Sequence, residues 1–125
     1  MLPQRYRLKK NDDFRKIYKY GRSMADSYLV LYIYFRVKKQ FSGNPRIGFS
    51  VSKRLGSAVS RNKIKRKMRA ALIPYLQFIV QDVDIIFVAR KKIKGISFRD
   101  VEKSMGKLLK KAGLIEKKYQ SSDIK

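Results

Sequence analysis

The 125-residue chain has no histidine, no cysteine and no tryptophan, and only nine of its residues are acidic. Without His or Cys there is no Ser-His-Asp triad, no Cys nucleophile, no zinc ribbon and no disulfide framework. Nine scattered carboxylates leave little material for acid–base chemistry. Long hydrophobic runs are missing as well. The longest lies within 28–37, is interrupted by Arg36, and is about half the roughly 20 residues a membrane helix needs. The start, MLPQRYRLKKNDDF, has basic residues but no apolar stretch behind them, so no signal peptide is expected. The absence of Cys fits a reducing, cytoplasmic setting.

What is present is cationic. Lys and Arg number 32, for a net charge of +23, while the hydrophobic share of 44% is that of an ordinary globular domain. The length suits one domain over 1–125, with an ordered core expected over about 5–113 and a basic tail from about 114 that frays. A compact body carrying that much like charge repels itself, so a polyanion is its natural partner.

Periodicity sets out the elements. The segment NDDFRKIYKYG reads as a short helix, with Asn11 as N-cap, Asp12 and Asp13 at the positive end of the dipole, and Gly21 at C′. Phe14, Ile17 and Tyr18 share one of its faces. Residues 28–37 (YLVLYIYFRV) carry the strongest strand signal. The odd set, Leu29, Leu31, Ile33, Phe35 and Val37, looks like core; the even set includes Tyr28, Tyr32 and Tyr34. The polar Ser42-Gly43-Asn44-Pro45 predicts a hairpin-like connection to a strand at 46–52. Ser57 is the expected N-cap of a long helix whose buried stripe is Ile64, Met68, Ala71, Leu72, Tyr75 and Ile79; Pro74 either ends that helix or kinks it. Residues 84–89 (DIIFVA) read as an interior strand. Ser97 with Asp100 opens a last helix that Gly113 stops. The predicted fold is an α+β class, single-domain α/β sandwich of order α-β-β-α-β-α, with room for a short extra strand near 22–26.

Charge is unevenly spread. Between Asp26 and Asp82 there is no acidic residue but there are twelve Lys and Arg, eight of them within 53–69. Asn62, Lys65, Arg66 and Arg69 are spaced i, i+3, i+4, i+7 and point together, away from Ile64, Met68 and Tyr75. Such a cluster is either a solvated face or a phosphate seat, with Arg forks gripping oxygens and Asn62 adding a neutral donor and acceptor. Tyr32 and Tyr34, with Phe14 and Tyr18 if the first helix packs there, either stack unpaired bases or form a second core layer with hydroxyls at its edge. Asp12/Asp13 reads as helix-start chemistry, Asp82/Asp84 as half of a charge pair rather than a metal site, and Gly48 and Gly56 as backbone geometry without Walker-type spacing.

At RIGFSVSKRLGSAVSRNKIKRKMRAAL (46–72) the sequence resembles the protein subunit of bacterial ribonuclease P. The arginine–asparagine–arginine helix appears as GSAVSRNKIKRKMR, and SVSKR, RLKKNDDF and DIIFVAR also match, so the resemblance spans about residues 5–115. It implies a left-handed βαβ crossover, where the general handedness rule would give a right-handed one. It also implies contact with a catalytic RNA through Lys53, Arg54, Arg61, Asn62, Lys65, Arg66 and Arg69. A cleft for the single-stranded 5′ leader of precursor tRNA would be lined by Phe14, Tyr18 and Tyr32, with Tyr34 added from strand parity. Hydrolysis would occur at Mg²⁺ held mainly by the RNA, with no catalytic side chain and no metal ligand from the protein. Neither a membrane nor DNA is an expected partner. The alternative is a structural ribosomal RNA-binding protein; a DNA-binding protein lacks support, because no helix-turn-helix spacing or dimer heptad is present.

Overall fold

The computed structural model describes residues 2–36 and 43–115. Its elements are α1 (Asn11–Tyr20), β1 (Arg22–Ala25), β2 (Leu29–Phe35), β3 (Arg46–Ser50), α2 (Ala58–Leu76), β4 (Val83–Ala89) and α3 (Phe98–Lys111). The strands form one sheet in the order β1-β2-β4-β3, with β3 parallel to β4 and the other pairs antiparallel. The fold is α+β as expected, with the extra strand at Arg22–Ala25.

β4 occupies an interior position because it is apolar on both faces: Val83, Ile85 and Phe87 enter one core, Ile86 the other. That placement overturns the expected hairpin. β2 and β3 do not pair, since β4 lies between them. β3, carrying Arg46 and Gly48, is left at the margin. The N-terminal segment covers part of its edge: Arg7 bridges Ile47, and the Leu8 amide donates to the Ile47 carbonyl at 3.0 Å.

The odd residues of β2, Leu29, Leu31 and Ile33, join Met68, Leu72, Val101, Met105 and Leu109 of α2 and α3 in the main core. Phe35 departs from that pattern at 50% exposure, and Val37 lies outside the described residues. α1 covers the opposite face, where Ile17 packs on Leu8 and Ile86 with Phe14, Tyr32 and Tyr34 around them.

Local signals are partly revised. Asn11 is the first residue of α1 rather than its cap; Lys10 takes that place with no side-chain cap, so the acidic first turn supplies the favourable charge. Gly21 is extended (φ −78°, ψ 161°), not left-handed. Its glycine is needed because a Cβ would lie 2.5 Å from the Ile17 carbonyl oxygen and 2.6 Å from that of Ile33. Ser57 and Ser97 cap α2 and α3 as predicted, each accepting the amide three residues on. α2 runs through Pro74 to Leu76; the carbonyl that loses its donor belongs to Ala70, on the solvent side where water can serve it. The packed core also exceeds its expected limits, because Leu2, Leu114 and Ile115 are buried. The rest of the predicted tail lies outside the described residues.

Candidate nucleic-acid interface

The cationic residues stand on two connected pieces. A short 3-10 turn, Lys53–Leu55, presents Lys53 and Arg54 to solvent while Leu55 anchors it in the core. Ser52 Oγ accepts the Arg54 amide, and Gly56 leaves the turn at φ +133°, a conformation that glycine permits. Arg61 ties this turn to α2, its Nε donating to the Gly56 carbonyl at 3.2 Å. Along α2, Asn62 and Arg66 are exposed while Lys65 and Arg69 are half-buried. Among the described residues none of these cations pairs with a carboxylate. Lys67, on another side of the helix, is committed to the Ile96 carbonyl at 2.8 Å.

The four predicted aromatics come together on the opposite sheet face. Tyr18 meets Tyr32 edge-on with ring centroids 4.9 Å apart, and Phe14 lies 6.4 Å from Tyr18. Lys16 Nζ sits 5.0 Å from the Tyr34 ring centre, a cation–π contact that parity alone did not reveal. Tyr18 is 40% exposed, and Phe14, Tyr32 and Tyr34 are half-buried, so this layer is open to solvent rather than sealed.

The two clusters meet at the β3 edge. A groove of about 240 Å³ there is lined by Phe14, Gly48 and Phe49 together with Lys9, Lys65 and Arg69. Sequence reasoning missed Lys9; its only signal was its place in the basic RLKK run.

Beside Tyr34 a larger depression of about 780 Å³ is lined by Arg5, Lys16, Arg36, Arg46 and the carboxylates of Asp13, Asp82 and Asp84. Asp84 is buried and takes both Arg46 Nε (2.9 Å) and Nη2 (2.8 Å), with Arg36 Nη1 on Oδ1. The Asp84 hydrogen bond, partly opposed by desolvation and aided by the charges of Asp84 and Asp13, holds the Arg46 guanidinium above its ordinary pKa. Asp82, at φ +62°, accepts the Gly43 amide and faces Arg36 at 3.8 Å. These carboxylates serve arginines, as the charge-pair reading expected. Among the described residues no three His, Cys, Asp or Glu side chains cluster as metal ligands, and no helix is long and apolar enough to cross a membrane.

A small mixed sheet with a cationic helix at one edge and an open aromatic layer on one face marks an α+β protein of the polyanion-binding class. The ribonuclease P family model matches residues 2–113. The ribonuclease P protein component of Clostridioides difficile is 41% identical over 108 residues, covering 86% of this chain and 91% of that protein. The Geobacillus thermodenitrificans protein of the same name is 34% identical over 123 residues, covering 98% and 99%. Among solved structures, the Staphylococcus aureus RNase P protein superposes with a TM-score of 0.76 at 40% identity, covering 89% of this chain and 98% of that one. The RNase P protein from Thermotoga maritima gives 0.73 at 29%, covering 84% and 96%. The chain belongs to the ribonuclease P protein family, the protein subunits of a ribonucleoprotein endoribonuclease, and its partner is an RNA. The ribosomal alternative is not favoured.

Proposed function

We propose that this subunit docks on the catalytic RNA through Lys53, Arg54, Arg61, Asn62, Lys65, Arg66 and Arg69, and holds the 5′ leader of precursor tRNA on Phe14, Tyr18, Tyr32 and Tyr34. The observation that carries this reading is the groove shared by Phe14, Lys65 and Arg69, which brings base-stacking rings and phosphate-binding cations within one path. Arg61 spends Nε on the loop, which orients its fork and keeps the Nη groups for phosphate. Single-stranded RNA suits this surface, because unpaired bases expose their faces to Tyr18 and Tyr32 while the backbone follows the cations. Mg²⁺ held by the RNA would supply the activated water, and the protein's share is to screen phosphates and retain the leader. The setting is the cytoplasm, as one domain over 1–125.

The test is to assemble the full chain with a bacterial ribonuclease P RNA and measure affinity for precursor and mature tRNA. The protein is expected to strengthen precursor binding and leave mature tRNA unchanged. Equal strengthening of both would remove the leader from the account.

A further inference from the structure

Glycine inside a strand weakens it, since it has no side chain to pack and loses more backbone freedom than any other residue. Gly48 nevertheless occupies the middle of β3, opposite Ile86 of β4, and its backbone is not left-handed. The reason lies in the space above it. A Cβ at position 48 would stand 2.5 Å from Phe14 Cζ, 2.8 Å from Phe14 Cε1 and 3.2 Å from Leu8 Cδ2. Carbon atoms in contact sit about 3.5–4.0 Å apart, so the ring would have to retreat by about 1 Å. Phe14 also packs against the small core of Leu8, Ile17 and Ile86, and its ring neighbours Tyr18, which in turn meets Tyr32. A displaced Phe14 therefore disturbs the aromatic layer and the groove it shares with Lys65 and Arg69.

We propose that Gly48 is a positioning residue for leader recognition: the missing side chain lets Phe14 sink onto the sheet and sets the depth of the groove where the rings meet the cationic helix. This rests on the leader reading above. It predicts that the residue tolerated at 48 depends on the size of the side chain at 14.

The experiment measures precursor and mature tRNA affinity for holoenzymes assembled with the full-length chain, as wild type, Gly48→Ala, Phe14→Leu and the double variant. Gly48→Ala is expected to weaken precursor binding by about fivefold or more, with mature tRNA within about twofold. In the Phe14→Leu background, whose side chain is shorter, adding Gly48→Ala is expected to change precursor affinity by less than about twofold. That second comparison decides the matter even if Gly48→Ala alone does not fold. Equal losses in both backgrounds, or no loss from Gly48→Ala, would overturn the positioning role. If Phe14→Leu itself leaves precursor affinity unchanged, the leader reading fails instead.

Discussion

Arg46 and Asp84 form a two-pronged ion pair across β3 and β4, with Nε–Oδ1 and Nη2–Oδ2 separations of 2.9 and 2.8 Å, beside the Tyr34 end of the aromatic layer. Register explains the pairing, because Arg46 and Asp84 are direct partners in the parallel ladder. Asp84 also faces Tyr34 across the antiparallel ladder, so this pair supports the strand ends on which that ring stands.

Asp84→Ala leaves Arg36 and Arg46 without their shared acceptor. Breaking a buried pair costs about 3–5 kcal/mol, and the partial exposure of both arginines places the expected loss near the lower end. Urea unfolding checks this, and a loss under about 1 kcal/mol would show that solvent replaces the pair. The raised guanidinium pKa of Arg46 adds stability that is fully present below arginine's ordinary value and lost only as pH rises past the folded value. Stability near neutrality is therefore not expected to titrate through this residue.

Arg66→Ala combined with Arg69→Ala removes two cations from the outward stripe of α2. Binding to the catalytic RNA is expected to weaken, and the slope of log K against log salt to become shallower by about two. Titrations across a salt series read both quantities. An unchanged slope would mean that these side chains touch no phosphate.

Tyr32→Ala removes the ring that Tyr18 meets edge-on. Precursor tRNA affinity is expected to fall by about 1–3 kcal/mol with mature tRNA unchanged, and Tyr32→Phe to retain most of the wild-type value. Parallel losses for both RNAs would move Tyr32 from ligand contact to packing.

Gly106→Ala tests the α2–α3 contact. The added methyl would lie 2.4 Å from the Tyr75 hydroxyl oxygen, which donates to the Glu102 carbonyl at 3.1 Å. Overpacking costs about 1–3 kcal/mol, and the 2.4 Å approach puts this site in the upper half of that range; after an offset of roughly 1 kcal/mol of helix propensity, a net destabilisation of about 1–2 kcal/mol is expected in thermal or urea unfolding. RNA affinity per folded molecule should not change. A neutral or stabilising result would show that Tyr75 swings aside freely.

Much of this was legible in the residues. The parity of β2 separated Leu29, Leu31 and Ile33 from Tyr32 and Tyr34, because side chains alternate across a strand whatever its neighbours are. The spacing of Asn62, Lys65, Arg66 and Arg69 fixed their common direction by the same kind of local geometry. Strand order was less accessible: the apolar run of β4 suggested an interior position, but the polar loop before β3 argued for a hairpin, and burial on both faces prevailed over adjacency in sequence. Position 48 was read as backbone geometry because nothing in a single sequence tells that the ring of Phe14 will lie on it. The Arg46–Asp84 pair was similarly half-visible, as an unpaired acid whose partner depends on register.

The most direct test of the central claim is cleavage of a 5′-extended precursor tRNA at low Mg²⁺ by a bacterial ribonuclease P RNA, with and without the full-length chain. Cleavage at the mature 5′ end that requires both components, with none from the protein alone, is the predicted result. A protein that binds the RNA but leaves low-Mg²⁺ cleavage unrestored would contradict the account.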